Sequence, residues 1–347
     1  MKRTFVLYPL LILLAFVAGC TSSTEVYLSP YTGSPGEVIV VMSDQNWDNA
    51  PGTMVRAGLL QDAFGIDKHE PSFDLMQAEE ENFGQLLRVH RNIIIVRIVD
   101  SDANEVPRIE FKKSVWSKEQ LVIEINARNY EAFEEVWSQN LPSIVAQLNK
   151  EDKARLMDKY DKQRNVHIKA KLEEKYKLSL NVPTDFDIVR ESEDFIWIRR
   201  EAQRFVRENG VGADHDITQN VFIYSYPYTD TAQFTTEAQL AMRDSIGKNF
   251  VPGNIVGSYI QTEKVHFKPV FVETEKFGQY ALEIRGLWKL EGAPGAFMGG
   301  PFIGLTCYDE RLGRLIYIEG NVFAPKFPKR EYVRELEAMI YSISTVE

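Results

Sequence analysis

The chain has 347 residues, of which 44% are hydrophobic and 26% charged, enough apolar side chain for one large core or two medium ones. Its formal net charge of −10 argues against nucleic-acid binding and against electrostatic adhesion to an anionic bilayer. Two cysteines, Cys20 and Cys307, and five scattered histidines leave little material for a disulfide framework, a zinc site or a histidine-dependent triad.

Residues 1–19 read as a lipoprotein signal peptide. Lys2 and Arg3 form a positive start, and Phe5 to Val17 form an apolar core too short for a stop-transfer helix and interrupted by Pro9. Val17-Ala18-Gly19-Cys20 matches a bacterial lipobox, which makes Cys20 the lipidation site. A single myristoyl chain anchors only marginally, whereas two or three palmitate-class chains on one cysteine hold effectively permanently. The competing reading is an ordinary cleaved leader with a chance cysteine at its boundary. Cleavage removes two positive charges and no acidic residue, so the mature chain is more acidic still. Lipidation also leaves Cys307 without a partner, and its apolar surroundings, Phe302 to Tyr308, predict a buried, inert thiol.

Residues 20–36, from the lipidated cysteine through a small, polar stretch with Pro30, Gly33, Pro35 and Gly36, read as a flexible tether. Fully extended it would reach roughly 50–60 Å. An N-terminal α+β half is expected over 37–150. Glu37–Ser43 is a buried strand, Asp44–Asn49 a polar turn, and Gly52–Phe64 a helix. Leu86–Val99 and Gln120–Ala127 read as neighbouring strands. From Tyr130 to Leu148 the apolar residues keep helical spacing, with a break expected at Pro142. Residues 151–177 are strongly charged and predict a long, mostly solvated connecting helix, with a partner contact as the other reading.

A C-terminal α+β half is expected over 178–347. Strand patterns fall at Leu178–Val182, Phe186–Val189, Phe195–Arg199, Val221–Tyr226, Ser258–Thr262, Val270–Glu273, Tyr280–Trp288, Phe302–Tyr308 and Leu315–Phe323. Helices are expected at Thr235–Phe250, capped by Thr235 or Thr236, and at Lys329–Ile343. The order of elements in the two halves is similar enough to raise a duplication, although no residue-level repeat is visible.

Several segments together resemble a known family. They are the lipobox, Ser34-Pro35-Gly36-Glu37-Val38, His90-Arg91-Asn92-Ile93, Phe195 to Glu201, Tyr224 to Tyr228, Arg243-Asp244-Ser245, Val251-Pro252-Gly253 and Met298 to Phe302. The pattern is similar to an uncharacterised Bacteroidetes lipoprotein family, domain of unknown function 4837, over essentially the whole mature chain. That resemblance implies a Gram-negative envelope lipoprotein and brings no activity, cofactor or catalytic residue with it.

No serine-hydrolase elbow, zincin motif, Cys-x-x-Cys, phosphate loop or EF-hand loop occurs, so no cofactor, metal or catalytic residue is assigned. Asp67, His69, Glu70 and Asp74, and separately Asp214-His215-Asp216, could ligate a cation but read better as solvated loops. Arg88 and His90, taken to share a strand face, could bind an anion; a salt bridge at the strand end is the plainer reading. Tyr224, Tyr226 and Tyr228 alternate onto one face, as a glycan- or peptide-binding platform would, or as core packing would. Gly292 to Pro301 is a flexible loop without the following helix of a dinucleotide site.

The expected fold is α+β, with two similar sheet-plus-helix halves of mainly antiparallel strands joined by the charged helix. The expected function is that of a lipid-anchored envelope protein at the periplasmic face of the outer membrane, a non-enzymatic binding or assembly subunit. Its partners would be the membrane, through the lipid, and an envelope protein or glycan; nucleic acid is excluded. The alternative is a periplasmic hydrolase or carbohydrate-active enzyme whose carboxylates meet only in the fold.

Overall fold

A computed structural model describes residues 27–346 except 67, 101, 103–105 and 209–210. Cys20 and the rest of the leader lie outside the described residues. Two sheets carry the fold. In the first half, β1 (Glu37–Val41), β2 (Asp74–Ala78), β3 (Asn92–Ile98), β4 (Arg108–Lys113) and β5 (Leu121–Ala127) form a five-stranded sheet in the order β2-β1-β3-β5-β4. Pairing is parallel from β2 through β5 and antiparallel only at β4. Central parallel strands are buried on both faces, which is why β1 and β3 read as continuous apolar runs. Val38, Val40, Ile94 and Ile123 pack beneath α1 (Ala50–Leu59) and α2 (Tyr130–Lys162); Ile39, Val41, Ile93 and Val122 face Phe83, Leu87 and Trp116.

The second half is antiparallel throughout. After α3 (Val166–Lys171) come β6 (Asp187–Glu191), β7 (Phe195–Glu208), β8 (Val211–Pro227), α4 (Thr236–Phe250), β9 (Tyr259–Thr262), β10 (Val270–Lys276), β11 (Gln279–Glu291), β12 (Gly299–Asp309), β13 (Arg314–Phe323) and α5 (Arg330–Tyr341). The eight-stranded sheet runs β9-β11-β12-β13-β8-β7-β6, with β10 also on β11. Strand alternation splits its side chains cleanly. Ile196, Ile198, Val221, Ile223, Leu305, Cys307 and Ile318 pack against α5, while Phe195, Trp197, Phe222, Phe302 and Tyr317 face α4. Gly320 lets α5 sit close, because a Cβ there would lie 2.8 Å from that of Leu336.

The α+β class and the predominance of antiparallel strands hold. Likeness between the halves ends at "sheet plus helix": one sheet has a parallel core and the other none, so the strand pairing does not support a duplication. The charged segment also differs from expectation. Helix α2 runs unbroken through Pro142 to Lys162, because both sides of the proline are held by packing, Trp137 and Ile144 in the first core and Leu156 and Tyr160 in the second. Its charges are not all solvated: Asp152 and Arg155 are buried. Asp152 draws in Arg155 Nη1 at 2.7 Å, Arg91 Nε at 3.0 Å, Arg334 Nη1 at 3.6 Å and the Gly36 N–H at 2.7 Å. Tyr31 covers the group, its ring centroid 5.0 Å from the Arg91 guanidinium and 5.3 Å from that of Arg155. The tether is therefore docked from Ser29 onward, where Ser29–Pro30 pairs with Ser117–Lys118.

Candidate functional site

A concavity of about 860 Å³ lies on the α4 side of the C-terminal sheet. Its floor brings together Trp197 of β7, Asn220 and Phe222 of β8, Trp288 of β11 and Asn321 of β13. Antiparallel register does this: Asn220 stands opposite both Arg199 and Asn321, and Trp197 opposite Phe222. One wall is the hairpin arm of β7 and β8, with Arg199, Glu201, Gln203 and Asp216; the other is made by Pro252–Asn254 and Met298. Those two loops, 251–258 and 292–298, contain no charged residue. At their tips Val256 and Phe297 are 98% and 92% exposed, apolar side chains presented to whatever lies outside.

The floor is held in one orientation by a chain of hydrogen bonds. Trp197 Nε1 and Arg199 Nε donate to Asn220 Oδ1 at 2.9 and 3.0 Å, and Asn220 Nδ2 donates to Asn321 Oδ1 at 2.9 Å. Asn321 Nδ2 donates in turn to Glu319 Oε1 at 3.1 Å, which also accepts from Arg243 Nη2 at 2.9 Å. Arg243 lies 3.9 Å from the Phe302 ring centroid and reaches Thr262 Oγ1 at 2.9 Å. Burial works against its charge, yet Glu319, Tyr317 and Asp244 together outweigh that effect and raise its pKa. Tyr317, which donates to Glu319 Oε2 at 2.6 Å, is pushed well above the ordinary tyrosine range, first by burial and then by that carboxylate. Apart from Arg243 Nε, which is buried without a hydrogen-bond partner, the members of this network hold one another in fixed positions.

The residues singled out from sequence fall elsewhere. Tyr224 and Tyr226 stack at 5.7 Å and pack toward α4, Tyr224 against Phe250 at 5.8 Å and Tyr226 through its hydroxyl, which accepts from Gln239 at 3.3 Å. Burial pushes Tyr226 up to about 12. Tyr228 turns to Tyr308, with centroids 4.7 Å apart. The three are half-buried and form no open platform. Arg88 ends a helical turn, Gln85–Arg88, rather than sitting on a strand, and lies 5.6 Å from the Phe83 ring centroid and 5.7 Å from that of Trp116. His90 is buried against Gly33, 3.4 Å from Glu37 and 3.2 Å from the Asn92 carbonyl. The pair therefore does not converge on an anion site.

No group of three potential metal ligands converges among the described residues. Asp67 lies outside them; Glu70 bonds to the start of α5, and Asp74 pairs with Arg330. Asp214 and Asp216 share one face of β8 and His215 takes the other, against Phe327. Cys307 is fully buried and burial pushes its thiol up to about 12, as expected of an inert cysteine. Among the described residues no helix is long and apolar enough to cross a membrane.

Comparison with known proteins places the chain. The family model described as domain of unknown function (DUF4837) matches residues 165–342, more than half of the sequence. The chain belongs to that family. The match is narrower than the whole mature chain, since a different model, domain of unknown function (DUF8532), matches residues 31–161. All groove residues fall within the DUF4837 match. No curated protein matches the chain. Among solved structures, the Saccharomyces cerevisiae Ran-binding protein Mog1p is similar over 49% of this chain and 91% of its own, at 17% identity and a TM-score of 0.32. A mutant form of Mog1 gives 16% identity and a TM-score of 0.29 over 49% and 92%. Likeness at that level carries no functional argument.

Proposed function

We propose that this DUF4837 protein is a lipid-anchored envelope protein, at the periplasmic face of the outer membrane, that works by holding a partner in the C-terminal groove rather than by catalysis. The observation that carries this reading is the groove itself, with a floor of indoles and amides locked by hydrogen bonds and a rim of uncharged loops exposing Val256 and Phe297. Glycoside hydrolysis needs two carboxyl groups flanking the scissile bond. The acids lining this groove, Glu201 and Asp216, are exposed diagonal neighbours on one wall, already engaged by Arg199 and Gln203. They do not oppose each other across a bound chain.

The test is to block the groove without touching the core. Thr218→Arg and Met298→Glu place charge in its opening at positions that are only half-buried. Co-purification from detergent-solubilised envelopes should recover a partner with the unaltered protein and lose it with both variants. Equal recovery from all three contradicts the reading.

A further inference from the structure

We infer that the groove takes an extended polypeptide strand carrying lysine or arginine, which adds to the free edge of β8 between Val211 and Ile217. This deepens the groove reading above and rests on it.

The geometry starts with unequal strand lengths. β8 pairs with β7 from Glu208↔Val211 to Phe195↔Tyr224. Its other neighbour, β13, pairs only from Pro227↔Arg314 to Thr218↔Phe323 and ends there. No described strand continues beside Val211–Ile217, so about 20 Å of strand edge lies unpaired, and its inner end, Asp216 and Ile217, lines the groove. In an antiparallel ribbon every second residue turns its N–H and C=O away from its partner, so this edge offers a ladder to an incoming strand. The slot continues the line of β13, with Phe323 at its inner end and Trp288, Leu290 and Met298 beside it.

Chemistry narrows the occupant. Asp216 lines the groove, and Asp214, two residues on, shares its face. Asp216 is bonded only to Gln203 among the described residues, and Asp214 forms no ion pair there. The lining cation, Arg199, is already engaged by Glu201 and Asn220. Phe205, opposite Asp214, lies over Gly212 and remains 63% exposed. An incoming strand thus meets carboxylates and an aromatic ring on its neighbour and apolar side chains below. Alternating apolar and basic residues fit that arrangement, while a free oligosaccharide would leave the main-chain ladder unused.

The experiment uses the full lipidated chain in detergent micelles and the probe acetyl-Val-Lys-Val-Lys-Val-Lys-Val-amide, labelled for fluorescence anisotropy at low salt. Binding tighter than about 1 mM is expected, with at least tenfold weaker binding when glutamate replaces lysine. Asp214→Lys with Asp216→Lys, both exposed, should reverse that preference. N-methylation of the valines or of the lysines removes donors from one strand edge or the other, so one of the two series should weaken at least tenfold and the other should not. Absence of binding, no charge preference, or equal response to both methylation series overturns strand addition. If Thr218→Arg still abolishes envelope-partner recovery in that case, the groove reading stands alone; if recovery survives Thr218→Arg, both fall.

Discussion

Glu70 caps the last helix of the chain across the junction of the two halves, its Oε2 accepting the backbone N–H of Lys329 at 2.7 Å and of Arg330 at 2.8 Å. The first turn of a helix has unsatisfied donors and a positive dipole end, so a carboxylate from elsewhere can serve as its cap. Glu70→Ala should cost about 1–2 kcal/mol in urea unfolding, and Glu70→Gln less, because an amide oxygen still accepts. Asp74, 60% exposed on the neighbouring Arg330 pair, should cost at most about 1 kcal/mol when truncated.

A larger loss is expected at Asp152. This one buried carboxylate serves Arg91 and Arg155, both buried, together with Asn92 and the docked end of the tether at Gly36. Removing it strands positive charge away from water. Asp152→Asn should destabilise the chain by roughly 3–5 kcal/mol in the same measurement. A loss below about 1 kcal/mol would mean that the junction is hydrated and the charges are not paired as described.

The junction also sets an acid limit. Burial disfavours the charged form of Glu337, but Arg285 at 2.9 Å and Lys153 at 2.7 Å outweigh it and hold the carboxyl down at about 2. A carboxyl whose folded pKa lies below its unfolded one binds fewer protons when folded, so its contribution is complete above the unfolded value and lost as pH falls through the folded one. Stability should therefore drop between about pH 5 and pH 2, with Glu337 accounting for about 3 kcal/mol. Glu337→Gln should flatten that part of the profile.

Thiol titration separates lipidation from its absence. Cys307, buried and held as a thiol, should not react with an aromatic disulfide reagent at pH 8 in the folded chain. The envelope-purified protein should give no reactive thiol when native and one after denaturation. A second thiol after denaturation would mean that Cys20 carries no thioether-linked lipid.

What was legible in the sequence was whatever local periodicity determines. Thr235 caps the α4 helix where the Thr-Thr pair and the following apolar spacing placed it, and the C-terminal helix starts within one residue of expectation. Leu86–Arg91 misled, because its apolar residues continue the run of β3 while the backbone instead makes a helical turn at Gln85–Arg88. The arm of β7 and β8 was invisible beyond Arg199 and before Val221. Residues such as Arg200, Gln203, Asp214 and Asp216 show no apolar alternation, and backbone pairing with polar contacts such as Arg200 to Gln219 and Gln203 to Asp216 carries them. The groove was invisible for a different reason. Trp197, Asn220, Trp288 and Asn321 come from four strands and meet only through register. The one available signal was the shared face of Trp197 with Arg199 and of Asn220 with Phe222. The charged stretch from Glu151 read as solvated because composition does not reveal that Asp152 and Arg155 pair with each other and with Arg91.

Photo-crosslinking in living cells tests the central claim most directly. A benzophenone amino acid at Thr218 or Phe323, inside the groove, should give one discrete adduct with a partner, and the same residue at exposed Glu134 on α2 should not. No adduct from the groove positions, or the same adducts from all three, would contradict a partner held there.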